Sequence, residues 1–201
     1  MDATRRSLHA VAEQLLAGPQ YRASGTIRLR VTADGFATVT EPASAVAGTA
    51  LAAAGSPFPL DGATITDLAA AAGIDAGPAA GLYTDYTGVD PAERLRVDAD
   101  AAAEVLHCLR RGDAALRRLA PGETPVLWPE HFDVGISAGE VNYGVSPGDG
   151  LIAEPYAYVG PWTPRTGEFW NAPFGAARPL RALPGSALDA FLAEGRALAS
   201  G

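Results

Sequence analysis

The sequence predicts an α+β fold in which antiparallel sheet packs with four main helices. Three observations carry that expectation. Apolar residues recur at helical spacing in four separated segments, residues of alternating polarity mark short strands between them, and turns containing Gly or Pro divide those strands.

Taken along the chain, Leu8, Val11, Ala12, Leu15 and Leu16 predict a helix over 4–17, which Gly18-Pro19 should stop. Ile27, Leu29 and Val31 alternate with Arg28 and Arg30, the pattern of a strand with one wet face, and Ala33-Asp34-Gly35 can turn it into a hairpin with Phe36–Thr40. One or two short strands follow over 45–60, and Thr64–Ala72 reads as a short helix closed by Gly73. Residues 74–97 lack periodicity and read as a linker or long surface loop. Asp98 or Asp100 can cap a long helix to Leu119, with Val105, Leu106, Leu109 and Leu116 inward and His107 in solvent. Past Val126 the segments Phe132–Ala138, Val141–Ser146 and Pro155–Gly160 predict a three-stranded meander. Residues 161–185 read as irregular, and a last helix spans Ser186–Leu198.

The order helix, strands, helix thus occurs twice, so a duplicated helix–strands–helix unit is one expectation. A chain of 201 residues suits a single domain over 1–201, and 74–97 is where a boundary between halves would fall.

Composition narrows the function classes. All 15 basic residues are Arg, the formal charge is −8 and the pI is about 4.8. A net negative surface repels phosphate backbones, and Arg110, Arg111, Arg117 and Arg118 fall on a predicted helix without interleaved aromatics, so no nucleic-acid partner is expected. No stretch of about 18 apolar residues is available to span a membrane. The single Cys108 cannot form an internal disulfide, and the start of the chain does not resemble a secretory signal, which makes the cytoplasm the expected compartment.

The densest chemistry lies in Leu127-Trp128-Pro129-Glu130-His131-Phe132-Asp133-Val134. Along a continuous strand, His131 and Asp133 would share one face while Trp128, Glu130 and Phe132 share the other. Asp133 could then fix the His131 tautomer and leave the second ring nitrogen as an acid or base, with Glu130, Asp149 or Glu154 assisting. A satisfied polar pair on a strand edge is the plainer reading of the same residues. Glu154, Tyr156, Tyr158, Trp162, Trp170 and Asn171 lie in Pro- and aromatic-rich segments that can line a small-molecule pocket or cover the end of a sheet.

Other motifs carry less. Gly135-Ile136-Ser137-Ala138-Gly139 matches a nucleophile-elbow spacing, but strand-forming residues follow where that motif needs a helix. Ser146-Pro147-Gly148-Asp149-Gly150 reads as a tight turn more readily than as an anion cradle. No His-x-x-x-His or Cys-x-x-Cys spacing is present, an oxygen-rich metal site stays open, and the sequence leaves any cofactor unknown. His9 sits at the edge of its helix stripe and reads as a packing residue.

The segments Trp128–Asp133, Ser146–Gly150, Glu154–Trp162 and Trp170–Gly175, with the early Ile27–Phe36 hairpin, resemble a family of uncharacterised proteins from high-GC bacteria. The resemblance implies an intact member rather than a fragment, and implies no reaction. Three functional expectations stand. The first is a small-molecule pocket around 128–174, with or without acid–base chemistry by His131, Asp133 and Glu130. The second is a protein-interaction or scaffold module using the aromatic loop, and the third a metal-dependent enzyme with His131 and Asp133 as ligands.

Overall fold

The computed structural model describes residues 1–84 and 86–201. Among these residues the fold is α+β, with ten strands whose described pairings are all antiparallel. The chain divides into two compact units. One comprises Met1–His107 with Leu127–Phe132, and the other Cys108–Val126 with Asp133–Gly201. The division falls within the long helix, and residues 74–97 lie inside the first unit.

The first unit begins with a continuous helical run: α1 (Asp2–Val11), a π-helical stretch (Ala12–Ala17) and α2 (Gly18–Ser24). The run therefore passes through Gly18-Pro19 instead of stopping there. Proline is tolerated because it falls in the first turn of a new α-helical segment, where its missing N–H need not be replaced. Gly25, at φ 76°, is the residue that ends the run. Strands β1 (Leu29–Val31), β2 (Gly35–Thr38), β3 (Ser44–Ala47), β4 (Ala50–Ala53) and β5 (Ser56–Pro59) follow as a meander, so 44–59 holds three strands. Helix α3 (Ile65–Ala72) is capped at its start by the Thr64 hydroxyl, which accepts from the Asp67 N–H, and at its end by Gly73 at φ 67°. Leu127 of β6 (Val126–Trp128) pairs with Leu29.

The described residues of 74–97 form no helix or strand, yet they are no free linker. They form a strap that runs back along the first helical run. Arg22 pairs with Asp75 at 2.8 Å, the Gly77 N–H donates to the Gln14 carbonyl at 2.9 Å, and the Thr87 N–H donates to Glu13 Oε2 at 3.0 Å. Gln14 Nε2 donates to the Val89 carbonyl, Arg6 pairs with Glu93, and the Arg96 and Asp98 N–H groups donate to the Ser7 and Thr4 hydroxyls. Gly18 permits the close approach, because a Cβ there would stand 1.7 Å from the Gly77 carbonyl oxygen.

The division falls in α4 (Ala99–Leu119), which the Asp98 carboxylate caps by accepting from the Ala101 N–H. In the second unit, β7 (Asp133–Ala138), β8 (Val141–Ser146), β9 (Tyr156–Pro161) and β10 (Ala176–Pro179) form a four-stranded meander. The region expected to be irregular thus supplies a fourth strand, β10, and a short 3₁₀ turn at Leu180–Ala182. Helix α5 (Ala187–Ala199) buries Leu188, Phe191 and Leu192. Both helices close on the sheet through glycine. A Cβ at Gly112 would lie 2.6 Å from Val134 and Val145, and one at Gly195 would lie 2.6 Å from Val159. The first unit thus runs from the helical run through a five-stranded meander to α3 and the start of α4, with most of β6 added, and the second from the rest of α4 through a four-stranded meander to α5.

Among the described residues, no helix is long and apolar enough to cross a membrane.

Alanine at position 18 should favour an isolated helix by about 1 kcal/mol. In this protein Gly18→Ala is expected to destabilise instead, by about 2–3 kcal/mol, because the new methyl group overlaps the Gly77 carbonyl and must displace strap backbone. Urea unfolding measures the loss, and limited proteolysis should show cleavage of 74–97 accelerated ahead of the rest of the chain.

Candidate functional site

The Trp128–Asp133 motif does not run as one strand. Strand β6 ends at Trp128, residues 129–132 form a turn, and strand structure resumes at Asp133. The Phe132 N–H closes the turn by donating to the Trp128 carbonyl at 2.8 Å, with Phe132 itself at φ 53°. A left-handed backbone is costly for a bulky residue, and here its ring is buried in return. The ring stacks on His9 at 5.2 Å and meets Phe36 edge-on at 5.6 Å. The continuous strand that would have turned His131 and Asp133 to one face is therefore replaced by a turn, which leaves His131 exposed and Asp133 buried.

Around this turn the first unit gathers titratable groups. His9 Nε2 donates to the Pro129 carbonyl, which fixes the proton of the neutral imidazole on that nitrogen. Burial drives the His9 pKa down to about 4, against the opposing effect of that hydrogen bond, and Arg5 and His131 lower it further. Glu13 is only 1% exposed. Burial raises its pKa, the Thr87 and Tyr83 contacts oppose that rise, and the Glu130 carboxylate adds to it. Tyr83 lies beside both carboxylates, and burial followed by their charges pushes its phenol upward. Glu13 Oε1, Tyr83 Oη and Glu130 Oε2 are all closed off from solvent, and none makes a well-formed hydrogen bond. Trp128 is half-buried under the Arg28 guanidinium, 5.8 Å from its ring centre.

In the second unit the remaining motifs come together, and their polar groups are spent on one another. Tyr158 donates its hydroxyl to Asp133 Oδ2, and Tyr156 donates to Asp149 Oδ2. Asp149 Oδ1 accepts from the Leu151 and Ile152 N–H groups at 2.8 Å each, and Ser146 Oγ accepts from the Gly148 N–H at 3.1 Å. The 146–150 segment is thus a turn tied by its own side chains. Gly144 is empty so that the Tyr158 ring can lie across it, since a Cβ there would come within 2.4 Å of the phenol. Phe174 meets Tyr158 edge-on at 6.1 Å. Glu154 forms an exposed ion pair with Arg181 at 2.6 Å, which holds its carboxyl below the ordinary range. Cys108 is buried, its thiol pushed up to about 12 by burial, and donates weakly to the Ser146 carbonyl. Ser137 is exposed on β7 and donates to Asn142 Oδ1.

The aromatic loop frames an open groove of about 560 Å³ against α5. Phe169 and Phe191 stack at 5.3 Å, and the Arg178 guanidinium lies 5.5 Å and 5.6 Å from their centres. Asn171 positions that guanidinium, since its Oδ1 accepts from Arg178 at 2.7 Å and from the Ala177 N–H at 3.0 Å. Arg178 forms no ion pair among the described residues, although Glu168 and Glu194 stand on the same groove. Trp170 packs edge-on against Phe169 and helps hold the wall, whereas Trp162 is 63% exposed with its indole N–H donated to Asn142.

A larger groove of about 910 Å³ lies in the first unit beside Pro19, Pro42 and Ala54. Its polar groups are committed. Arg22 serves Asp75 and the Gly77 and Pro78 carbonyls, and Glu41 accepts from the Ala43 N–H. Among the described residues no group of three or more His, Cys, Asp or Glu side chains comes together to hold a metal ion.

Glu13, Tyr83 and Arg178 do not stand out as site residues in the sequence, and Phe191 reads there only as a buried residue of the last helix. Glu13-Gln14 inside an apolar helix stripe is the available signal for the first, whereas nothing local marks Arg178. The chain matches no protein-family model, no curated protein and no solved structure.

The low pKa of His9 has a definite sign. The unfolded imidazole takes up its proton near pH 6.5 and the folded one only near pH 4, so stability is complete above 6.5 and falls as the pH drops toward 4. Replacing His9 by Gln keeps a donor for the Pro129 carbonyl and removes the titration. Between pH 7.5 and pH 4 the wild type should lose about 3 kcal/mol relative to His9→Gln, read from urea unfolding across that range.

Proposed function

We propose that the protein binds a small organic monoanion with an apolar body, and that its groove beside the aromatic loop is the binding site. The observation that carries this reading is Arg178. It is a half-buried cation, oriented by Asn171 and backed by two phenyl rings, with no carboxylate paired to it. Arg is the side chain best suited to a planar carboxylate, which it can meet with two parallel hydrogen bonds. One terminal nitrogen is already occupied by Asn171 and the Ala177 carbonyl, so the other edge of the guanidinium is the one a ligand would use.

The rest of the groove defines the ligand. Leu183, Ala187, Ala190 and Phe191 line it with apolar surface, and its volume suits a compact molecule rather than a chain. Glu168 and Glu194 repel a second negative charge, which disfavours polyphosphates and nucleic acid. Binding without catalysis fits the commitments around it. Asp133, Asp149 and Glu154 already hold protein donors, and His131 lies exposed in a turn. A thiol kept protonated and buried suits the reducing cytoplasm in which we place this binding.

Calorimetric titration with benzoate, cyclohexanecarboxylate and hexanoate, beside benzylamine, tests the reading. The carboxylates should bind and the amine should not. Arg178→Met, which keeps the apolar stem, should weaken carboxylate binding about 10- to 100-fold, the loss of a charge-assisted hydrogen-bonded pair. Equal affinity for amine and acids, or undiminished binding by the variant, would refute it.

A further inference from the structure

We infer that the ligand of the groove beside the aromatic loop is an α-amino acid with an apolar side chain, its carboxylate on Arg178 and its ammonium facing Glu168 and Glu194. Such a zwitterion keeps the single anionic group of the carboxylate reading above, on which this inference rests, and adds a cationic one. One guanidinium and two carboxylates line the groove, and they do not neutralise one another. Arg178 spends one terminal nitrogen on Asn171 Oδ1 and the Ala177 carbonyl, which leaves its Nε and second terminal nitrogen as a two-donor edge. Among the described residues, neither Glu168 nor Glu194 takes part in an ion pair or a side-chain hydrogen bond. Opposite charges that share a groove without pairing are complementary to a molecule that carries both charges itself.

Helix α5 gives the groove a direction. Ala187, Ala190, Phe191 and Glu194 recur at helical spacing and share one face, which extends about 10 Å at the usual rise per residue. Ala187 stands at its start, beside the segment that brings Leu183, and its N–H donates to the Pro184 carbonyl at 3.0 Å. Glu194 stands at its end, about one turn beyond Phe191. Between them the Arg178 guanidinium lies 5.6 Å from the centre of the Phe191 ring. Glu168 joins from the other wall as the residue before Phe169, whose ring stacks on that of Phe191. The charged groups therefore gather around the stacked rings and the Glu194 end, and the Leu183–Ala187 end is apolar. An α-amino acid has the same layout, with both charges on one carbon and an apolar chain leading away.

Other ligand classes match only part of this set. A plain carboxylate leaves both glutamates repelling it, and a plain amine leaves the guanidinium repelling it. An amino acid with a charged side chain would bring that charge against Leu183 and Ala187, where nothing polar repays its desolvation. The two charged contacts also differ in weight. Arg178 is half-buried, whereas Glu168 and Glu194 are exposed. The carboxylate contact therefore supplies most of the polar affinity, and the ammonium contacts, screened by solvent, chiefly select the zwitterion over the simple acid.

Calorimetric titration of the whole chain at neutral pH with phenylalanine, 3-phenylpropanoate and phenylalaninamide tests this, since the three share one apolar body. Phenylalanine should bind about 5- to 10-fold more tightly than 3-phenylpropanoate, the worth of two solvent-screened charge contacts, and phenylalaninamide should not bind. The double variant Glu168→Gln, Glu194→Gln changes only exposed side chains and should abolish the preference, weakening phenylalanine while 3-phenylpropanoate holds or improves. If wild type binds 3-phenylpropanoate at least as tightly as phenylalanine, the amino-acid assignment fails and the carboxylate reading stands. A preference for phenylalanine that persists in the double variant overturns the assignment as well. If neither acid binds, the carboxylate reading fails and the assignment falls with it.

Discussion

The first unit depends on a helix whose buried surface is polar as well as apolar. Residues 11–20 are all buried, and Glu13, Gln14 and Gln20 stand among them. Such groups would be destabilising in a purely apolar setting, since each unsatisfied amide or carboxyl costs on the order of 1–3 kcal/mol. They are tolerated because irregular backbone needs partners of its own. Gln20 alone serves the carbonyls of Thr26 and Arg28 and the N–H groups of Val39 and Thr40, joining the end of the helical run to the first hairpin. Thr4, Ser7, Glu13 and Gln14 do the same for the strap. The helix thus acts as the hydrogen-bonding counterpart that a sheet edge would otherwise supply, and the described residues of 74–97 are held without forming helix or strand.

The second unit solves a related problem with side chains borne on its own strands and turns. The 146–150 turn is fastened by Ser146 and Asp149, Tyr156 secures Asp149, and Tyr158 spans Gly144 to reach Asp133. Aromatic bodies fill the sheet surface while their hydroxyls satisfy buried carboxylates, so the same residues supply packing and hydrogen bonds. Many polar side chains of this region are bonded to one another and to the backbone of the 146–150 turn. Arg178 differs from that framework because its charge remains unpaired after its positioning contacts are made.

Fold class was accessible from sequence because it depends on local periodicity. Helix α3, with Thr64 and Gly73 at its ends, and the β7–β8 hairpin follow from residue patterns within a few positions of each other. The continuation of the first helix through Gly18-Pro19 was not accessible, since Gly18 is explained only by the Gly77 carbonyl 59 residues later. The strap was hidden for the same reason: its order comes from distant side chains rather than from its own propensity. At the candidate sites, Glu130 falls in the 129–132 turn rather than on the continuous strand that the sequence suggests. The positive φ of Phe132 converts an apparent strand into a turn, and alternation of faces then no longer predicts which groups meet. Trp170 and Asn171 were noticed for their position beside prolines, and their positioning of the groove wall and of Arg178 emerges only in three dimensions.

A common criterion separates framework from function in both units. Most polar side chains here are committed to backbone donors and acceptors, and those commitments account for much of the motif density. What remains is a small set of groups whose capacity exceeds their partners: the guanidinium of Arg178 and the enclosed oxygens of Glu13, Tyr83 and Glu130. The two differ in what they can accept. Arg178 lies on an open groove with apolar walls, whereas those three oxygens are each enclosed, on side chains that are buried or half-buried. Access, rather than charge or residue type, is therefore what separates these two sets of groups.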